Sequence, residues 1–213
     1  MKTLLLTLCV LGFSSIIVVG QQTEKEIRAE IKSKAIKEAR REAKKYKKQG
    51  YDVAPGSLPM EKMLEKTWYK LLEQDEKGEL AYISADGNAV AETKTAADLQ
   101  AFETAKLNLA GQLETIVRAI VESNIANAQL NVEEAASVTK VLTGAKNIIA
   151  TKLERVDPIF KIYRIIGKNV ETNVKIVYKK STALNTAKQA VREELEKGTQ
   201  ELQQKLDKIL QLQ

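Results

Sequence analysis

The sequence predicts an α+β fold, with a small antiparallel sheet in β-α-β-β order packed against long helices and flanked by N- and C-terminal helices. Three observations carry this. Ile159 to Ile166 and Val170 to Tyr178 are rich in β-branched and aromatic residues and are joined by only Gly167-Lys168-Asn169, which makes an antiparallel hairpin. Lys94 to about Asn127 places Ala97, Ala101, Ala105, Leu109, Leu113, Val117, Ile120 and Val121 at helical spacing on one face, far longer than any strand. Ahead of it, Leu80 to Glu92 gathers Tyr, Ile, Val and Ala around Asp86-Gly87-Asn88, which predicts a strand with a glycine-allowed bend.

The chain opens on a segment of another kind. Lys2, a largely apolar run from Leu4 to Val19, and the small residues Val18-Val19-Gly20 before Gln21 predict a signal peptide at residues 1–20, cleaved after Gly20. The run is shorter than the roughly 20 apolar residues a membrane span needs and has no basic stop behind it, so the mature chain should carry no transmembrane segment. The protein is therefore expected in the periplasm or outside the cell.

Residues 21–49 predict a basic amphipathic helix. Thr23 can cap it, Glu24, Glu26 and Glu30 sit in its first turns and Lys44, Lys45, Lys47 and Lys48 at its end, which complements the helix dipole. Ile27, Ile31, Ala35, Ala39, Ala43 and Tyr46 form one narrow apolar stripe. In residues 50–78, Pro55, Gly56, Ser57 and Pro59 impose an extended connector, followed by a helix from Met60 to about Asp75 with Met60, Met63, Leu64, Trp68, Leu71 and Leu72 on one side.

Residues 79–181 form the predicted core. The alanines of its long helix should let backbone approach the sheet closely. Asn131 with Glu134 marks the start of a further helix, carrying Val138, Val141, Leu142, Ala145, Ile148 and Ile149 until about Leu153, and Asp157-Pro158 breaks it. In the last strand Val170, Thr172, Val174, Ile176 and Tyr178 face one way and Glu171, Asn173, Lys175 and Lys179 the other, which predicts one buried face and one wet face. Residues 182–213 predict a single amphipathic helix with a short coiled-coil-like seam of Leu184, Val191, Leu195, Leu202, Leu206 and Ile209, with Lys188 and Gly198 on or beside it.

Composition limits the chemistry. The 213 residues contain no histidine and one cysteine, Cys9, which lies inside the predicted leader. That removes His- and Cys-based nucleophilic catalysis and zinc chemistry from the mature chain, and disulfides with them. Leu8 precedes Cys9 and most of the apolar run follows it, so Cys9 does not fit a lipid-attachment site. Glu133-Glu134 and Glu193-Glu194 are adjacent on helices and diverge, so neither is a catalytic pair. Gly87 belongs to no phosphate-binding loop. No catalytic, cofactor-binding or metal-ligating residue is predicted, and a hydrolase working with carboxylates alone would need two acids converging in a cleft.

Ile83-Ser84-Ala85-Asp86-Gly87-Asn88-Ala89, followed by Ala97, Ala101, Ala105 and Leu109, resembles the core of the FlgP-like small envelope lipoproteins of Gram-negative bacteria over about Glu79 to Lys180. The resemblance implies a compact α+β domain that acts in assemblies at the outer membrane and is not an enzyme. This chain departs from it by lacking a lipid-bearing cysteine and by adding the basic helix and the Pro-Gly connector.

Charge points to the first helix as the binding surface. Glu24 to Lys48 holds eleven Lys or Arg against five Glu, a net charge of +6. Its end, with Arg40, Arg41, Lys44, Lys45, Lys47 and Lys48, is the candidate site for an anionic polymer or lipid headgroups. A solvated helix with internal Glu-to-Lys pairs is the competing reading. Nucleic acid is not expected as a partner, because Tyr46 is the helix's only aromatic and no interleaved stacking set accompanies it. Membrane insertion is disfavoured by the alanine-rich stripe. A third possibility is pairing, within one chain or between copies, with the C-terminal helix, whose Glu193, Glu194, Glu196 and Glu201 complement Arg40, Arg41, Lys44 and Lys45. Envelope proteins or a second copy are thus the expected partners. Tyr51, Trp68 and Tyr69 suggest sugar stacking, but Trp68 at helical spacing with Leu64 and Leu71 reads as core, whereas Tyr51 in the connector reads as free.

Overall fold

The computed structural model describes residues 24–125, 130–153, 156–195 and 200–210. The predicted leader at residues 1–20, the Thr23 cap, and Glu196 and Gly198 lie outside them. The fold is α+β, as the patterning predicts. In chain order the elements are α1 (Glu24–Lys48), α2 (Met60–Leu72), β1 (Tyr82–Ala91), α3 (Lys94–Ile125), α4 (Val132–Lys152), β2 (Pro158–Ile166), β3 (Asn169–Lys179), α5 (Lys180–Leu195) and α6 (Gln200–Leu210).

The sheet has the order β1-β3-β2 and is antiparallel throughout. β2 and β3 are joined through Gly167-Lys168, and Gly167 takes the left-handed φ of 61° that a turn this short demands. β1 pairs with β3 without interruption from Tyr82↔Lys179 to Ala91↔Val170. Gly87 therefore makes no bend, contrary to the sequence expectation. It permits a close approach instead: a Cβ there would lie 2.0 Å from the carbonyl oxygen of Ala101 and 2.4 Å from the amide nitrogen of Ala105. The alanine spacing of α3 exists for this contact, and Ala97, Ala101 and Ala105 are fully buried. On the open edge of β1, Asn108 and Gln112 of α3 donate to the carbonyls of Asp86 (2.8 Å) and Ser84 (3.0 Å), which removes two acceptors from an otherwise unpaired edge.

One face of the sheet carries Ala85, Val174 and Ile176 into the main core, with Leu109, Leu113 and Val117 of α3 and buried residues of α4, α5 and α6. α4 begins as predicted, since the Asn131 side chain accepts from the Glu134 amide while the Glu134 carboxylate accepts from the Asn131 amide. The other face is expected to be wet, and here the structure corrects the sequence reading. Phe160 and Ile162 of β2 lie under α1 and α2 in a second core with Ala39, Ala43, Tyr51, Met60 and Leu64. Two of the β3 charges on this face are paired, Glu171 with Arg164 and Lys175 with Asp86 at 2.7 Å, while Lys179 at the strand's end stays exposed as expected.

Two further corrections concern the chain's ends. The C-terminal segment forms two helices in place of one seam, and α6 folds back on the core: Ile209 and Leu210 are buried, Asn124 donates to the Ile209 carbonyl at 3.0 Å, and Lys205 pairs with Glu134 at 3.2 Å. Among the described residues α1 packs chiefly on α2 rather than on the C-terminal helices, and Glu193 pairs with Lys152 at 2.5 Å. The reason is apolar area. Met60 and Leu64 give the alanines of α1 a dry surface, whereas Leu195 and Leu210 are used on the main core.

Candidate functional site

Because Ala35, Ala39 and Ala43 turn inward, the same helical period must turn the cations of α1 outward. Arg40, Arg41, Lys44, Lys45, Lys47 and Lys48 are all exposed. They are not equivalent. Arg41 pairs with Glu38 at 2.5 Å, and Lys47 reaches across to Glu61 of α2 at 3.0 Å. Arg40, Lys44, Lys45 and Lys48 make no ion pair among the described residues. Lys37, also exposed, extends the set one turn back, so Lys37, Arg40, Arg41, Lys44 and Lys48 line one outward face at three- and four-residue spacing. Like charges four apart repel by a few tenths of a kcal/mol per pair, which the Arg41–Glu38 pair and the favourable placing of lysines at the helix C-terminus offset only in part.

No family model, curated protein or solved structure matches the chain. Beside this surface, α1 and α2 border a groove.

That groove, of about 560 Å³, is lined by Lys32 and Ala35 of α1, Leu58 of the connector, and Lys62, Glu65, Lys66 and Tyr69 of α2. Leu58 is 57% exposed and Tyr69 38%. Sequence reasoning missed Lys32, Lys62 and Lys66. A signal existed, since Leu58, Lys62, Lys66 and Tyr69 follow one another by four, four and three along one flank of α2, but charge counting is drawn to α1.

The aromatics sort differently from expectation. Tyr51 is not free: it is buried, edge-on to Tyr46 at 5.5 Å, with the Arg164 guanidinium 4.7 Å from its ring centre. The connector that holds it is pinned to the sheet, because Asp52 and Tyr163 exchange backbone hydrogen bonds of 2.8 and 2.9 Å. Trp68 packs beside the second core and donates Nε1–H to Glu42 at 2.7 Å. Only Tyr69 of the three keeps an exposed ring.

The acids of the interior are committed to partners. Asp98 accepts from Lys94 (2.7 Å), Lys161 (2.9 Å) and the hydroxyl of buried Thr172 (2.8 Å), and Glu171 from Arg164 and Asn88. Burial by itself would raise both carboxyls, but these donors outweigh it and hold both below their ordinary values. Burial, followed by the nearby Glu171 carboxylate, pushes the Tyr51 hydroxyl up. Each acid is an anchor joining strands to α3 or to the connector, and among the described residues no group of three metal-ligating side chains occurs.

A pH dependence follows. A carboxyl depressed in the folded state stabilises the fold above its unfolded pKa, and that contribution is lost as pH falls through the folded value. The ordinary values are 3.8 for Asp98 and 4.5 for Glu171. Thermal midpoints are thus expected to hold steady from pH 7 to about 5 and to fall below about 4. In an Asp98→Asn, Glu171→Gln variant the midpoint should start lower and depend less on acid. An acid slope as steep as the parent's would show that other groups control it.

Proposed function

We propose that this chain is an exported, non-enzymatic protein of the bacterial cell envelope, with a structural or protein-interaction role in an assembly associated with the outer membrane. The observation that carries the reading is the outward face of α1, where Arg40, Lys44, Lys45 and Lys48 are exposed without counter-charges among the described residues. A run of outward cations without ion-pair partners among the described residues, opposite a face that docks through alanine, suits a partner that supplies anions. The leader-like segment at residues 1–20, the lack of histidine and of any cysteine beyond Cys9, and the likeness of residues 79–180 to small envelope lipoproteins support the same reading. The test is fractionation with lysine-directed cross-linking. Processed protein should appear in the envelope fraction with adducts at Lys44, Lys45 or Lys48, whereas full-length, unprocessed protein confined to the cytoplasm would remove the basis of the proposal.

The same free cations favour a second reading, a module for anionic envelope polymers or lipid headgroups. Retention on an immobilised polyanion should then weaken with salt and fall sharply when Arg40, Arg41, Lys44 and Lys45 are all changed to Glu. Unchanged elution after that reversal would exclude it.

A further inference from the structure

The buried alanine stripe of α1 faces α2, and the large apolar residues described on α1, Ile31 and Ile36, are half-buried. The flank of α2 beside it, with the turn before it, presents exposed ones. Met60, Leu64 and Thr67 are buried, which turns Lys62, Lys66 and Tyr69 to solvent in line with Leu58. Leu58 sits in Pro55-Gly56-Ser57-Leu58-Pro59, where the two prolines restrict the backbone, and it is the most exposed apolar residue of the groove. Three lysines, Lys32, Lys62 and Lys66, border the groove with one carboxylate, Glu65, which Lys62 engages at 2.8 Å. Lys32 and Lys66 make no ion pair among the described residues.

We propose that this groove docks on the surface of an anionic phospholipid bilayer, with Leu58 and Tyr69 entering the interface while Lys32, Lys62 and Lys66 meet headgroup phosphates. The proposal rests on the envelope reading only for where the chain meets such a surface. Charge complementarity and the mixed character of the flank select this occupant. A soluble polyanion would use the lysines and leave Leu58 and Tyr69 idle. A partner helix would require a continuous apolar seam at three- and four-residue spacing, and here lysines interrupt it at Lys62 and Lys66. A bilayer interface uses all five side chains: an aliphatic tip below the headgroups, a tyrosine at their level, and lysines whose stems lie along apolar surface while their ammonium groups reach phosphate. Leu58, Lys62, Lys66 and Tyr69 lie along one side of α2 and the turn before it, so they can meet a flat surface together.

Co-sedimentation with lipid vesicles tests this, using the protein as purified from cells. Vesicles of one part phosphatidylglycerol to two parts phosphatidylcholine should retain it, and pure phosphatidylcholine vesicles should not. Leu58→Ser with Tyr69→Ser, and separately Lys62→Gln with Lys66→Gln, should each weaken retention by about tenfold. Arg40→Gln with Lys44→Gln should change it less than either. All these positions are exposed, and unchanged thermal midpoints show that the fold is intact. The proposal is overturned if the protein ignores anionic vesicles, or if the Leu58/Tyr69 variant binds them as tightly as the parent. The mass of the purified protein, starting at Gln21 or at Met1, reports on export independently, so failure of export and failure of docking are told apart.

Discussion

Gly87→Ala is expected to destabilise the chain by about 3 kcal/mol, at the severe end of what overpacking produces. The added methyl would lie 2.0 Å from the Ala101 carbonyl oxygen and 2.4 Å from the Ala105 nitrogen, which are backbone atoms that no rotamer change can move. α3 would have to lift from β1. That displacement would also stretch the hydrogen bonds from Asn108 and Gln112 that cover the strand's open edge. Denaturant unfolding measures the loss, and two companions make it specific. Gly144, within α4, has open space for 4 Å around the point where an alanine methyl would stand, so Gly144→Ala should stabilise by about 0.5 to 1 kcal/mol through helix propensity. Ala101→Gly should not rescue Gly87→Ala, since the obstruction is main chain; a rescue would show that the approach of α3 is set by side chains.

The same position shows what a sequence can and cannot disclose. Alanine at every fourth residue of α3 announces a close approach, but the residue approached is fixed only when β1 is laid against the helix, and so Gly87 reads as a bend. The strands, the hairpin and the Asn131-Glu134 cap are local patterns and are legible. The second face of β3 reads as wet because much of what covers it is non-local: α1 and α2 lie over Phe160 and Ile162 beside it, and Lys175 meets Asp86, 89 residues away. Tyr51 reads as free for a related reason, since a Pro-Gly connector looks unattached until Asp52 is seen paired to Tyr163. The α1 cations are legible because a lysine opposite an alanine stripe has only solvent to enter. The groove is not, for it exists only where residues 32–35 come alongside residues 58–69.

Phe160→Ala is expected to cost about 3 to 5 kcal/mol, and its effect should fall first on the layer formed by α1 and α2. Phe160 is 1% exposed, with its ring centre 5.5 Å from that of Tyr46. The buried residues that α1 gives to the second core are small, Ala39 and Ala43, so its large buried side chains are Tyr51, Met60, Leu64, Phe160 and Ile162. The main core, on the opposite face of the sheet, shares none of these residues. Hydrogen exchange on the Phe160→Ala variant should therefore show amides of α1 and α2 losing protection while those of α3 and β3 keep theirs. Leu109→Ala, in the main core, should lower protection everywhere. Uniform loss in both variants would mean that the two cores unfold as one unit. If the layer does open alone, polyanion and vesicle binding should weaken in Phe160→Ala although no charge has changed, because the outward cations and the groove are held in place by that small core.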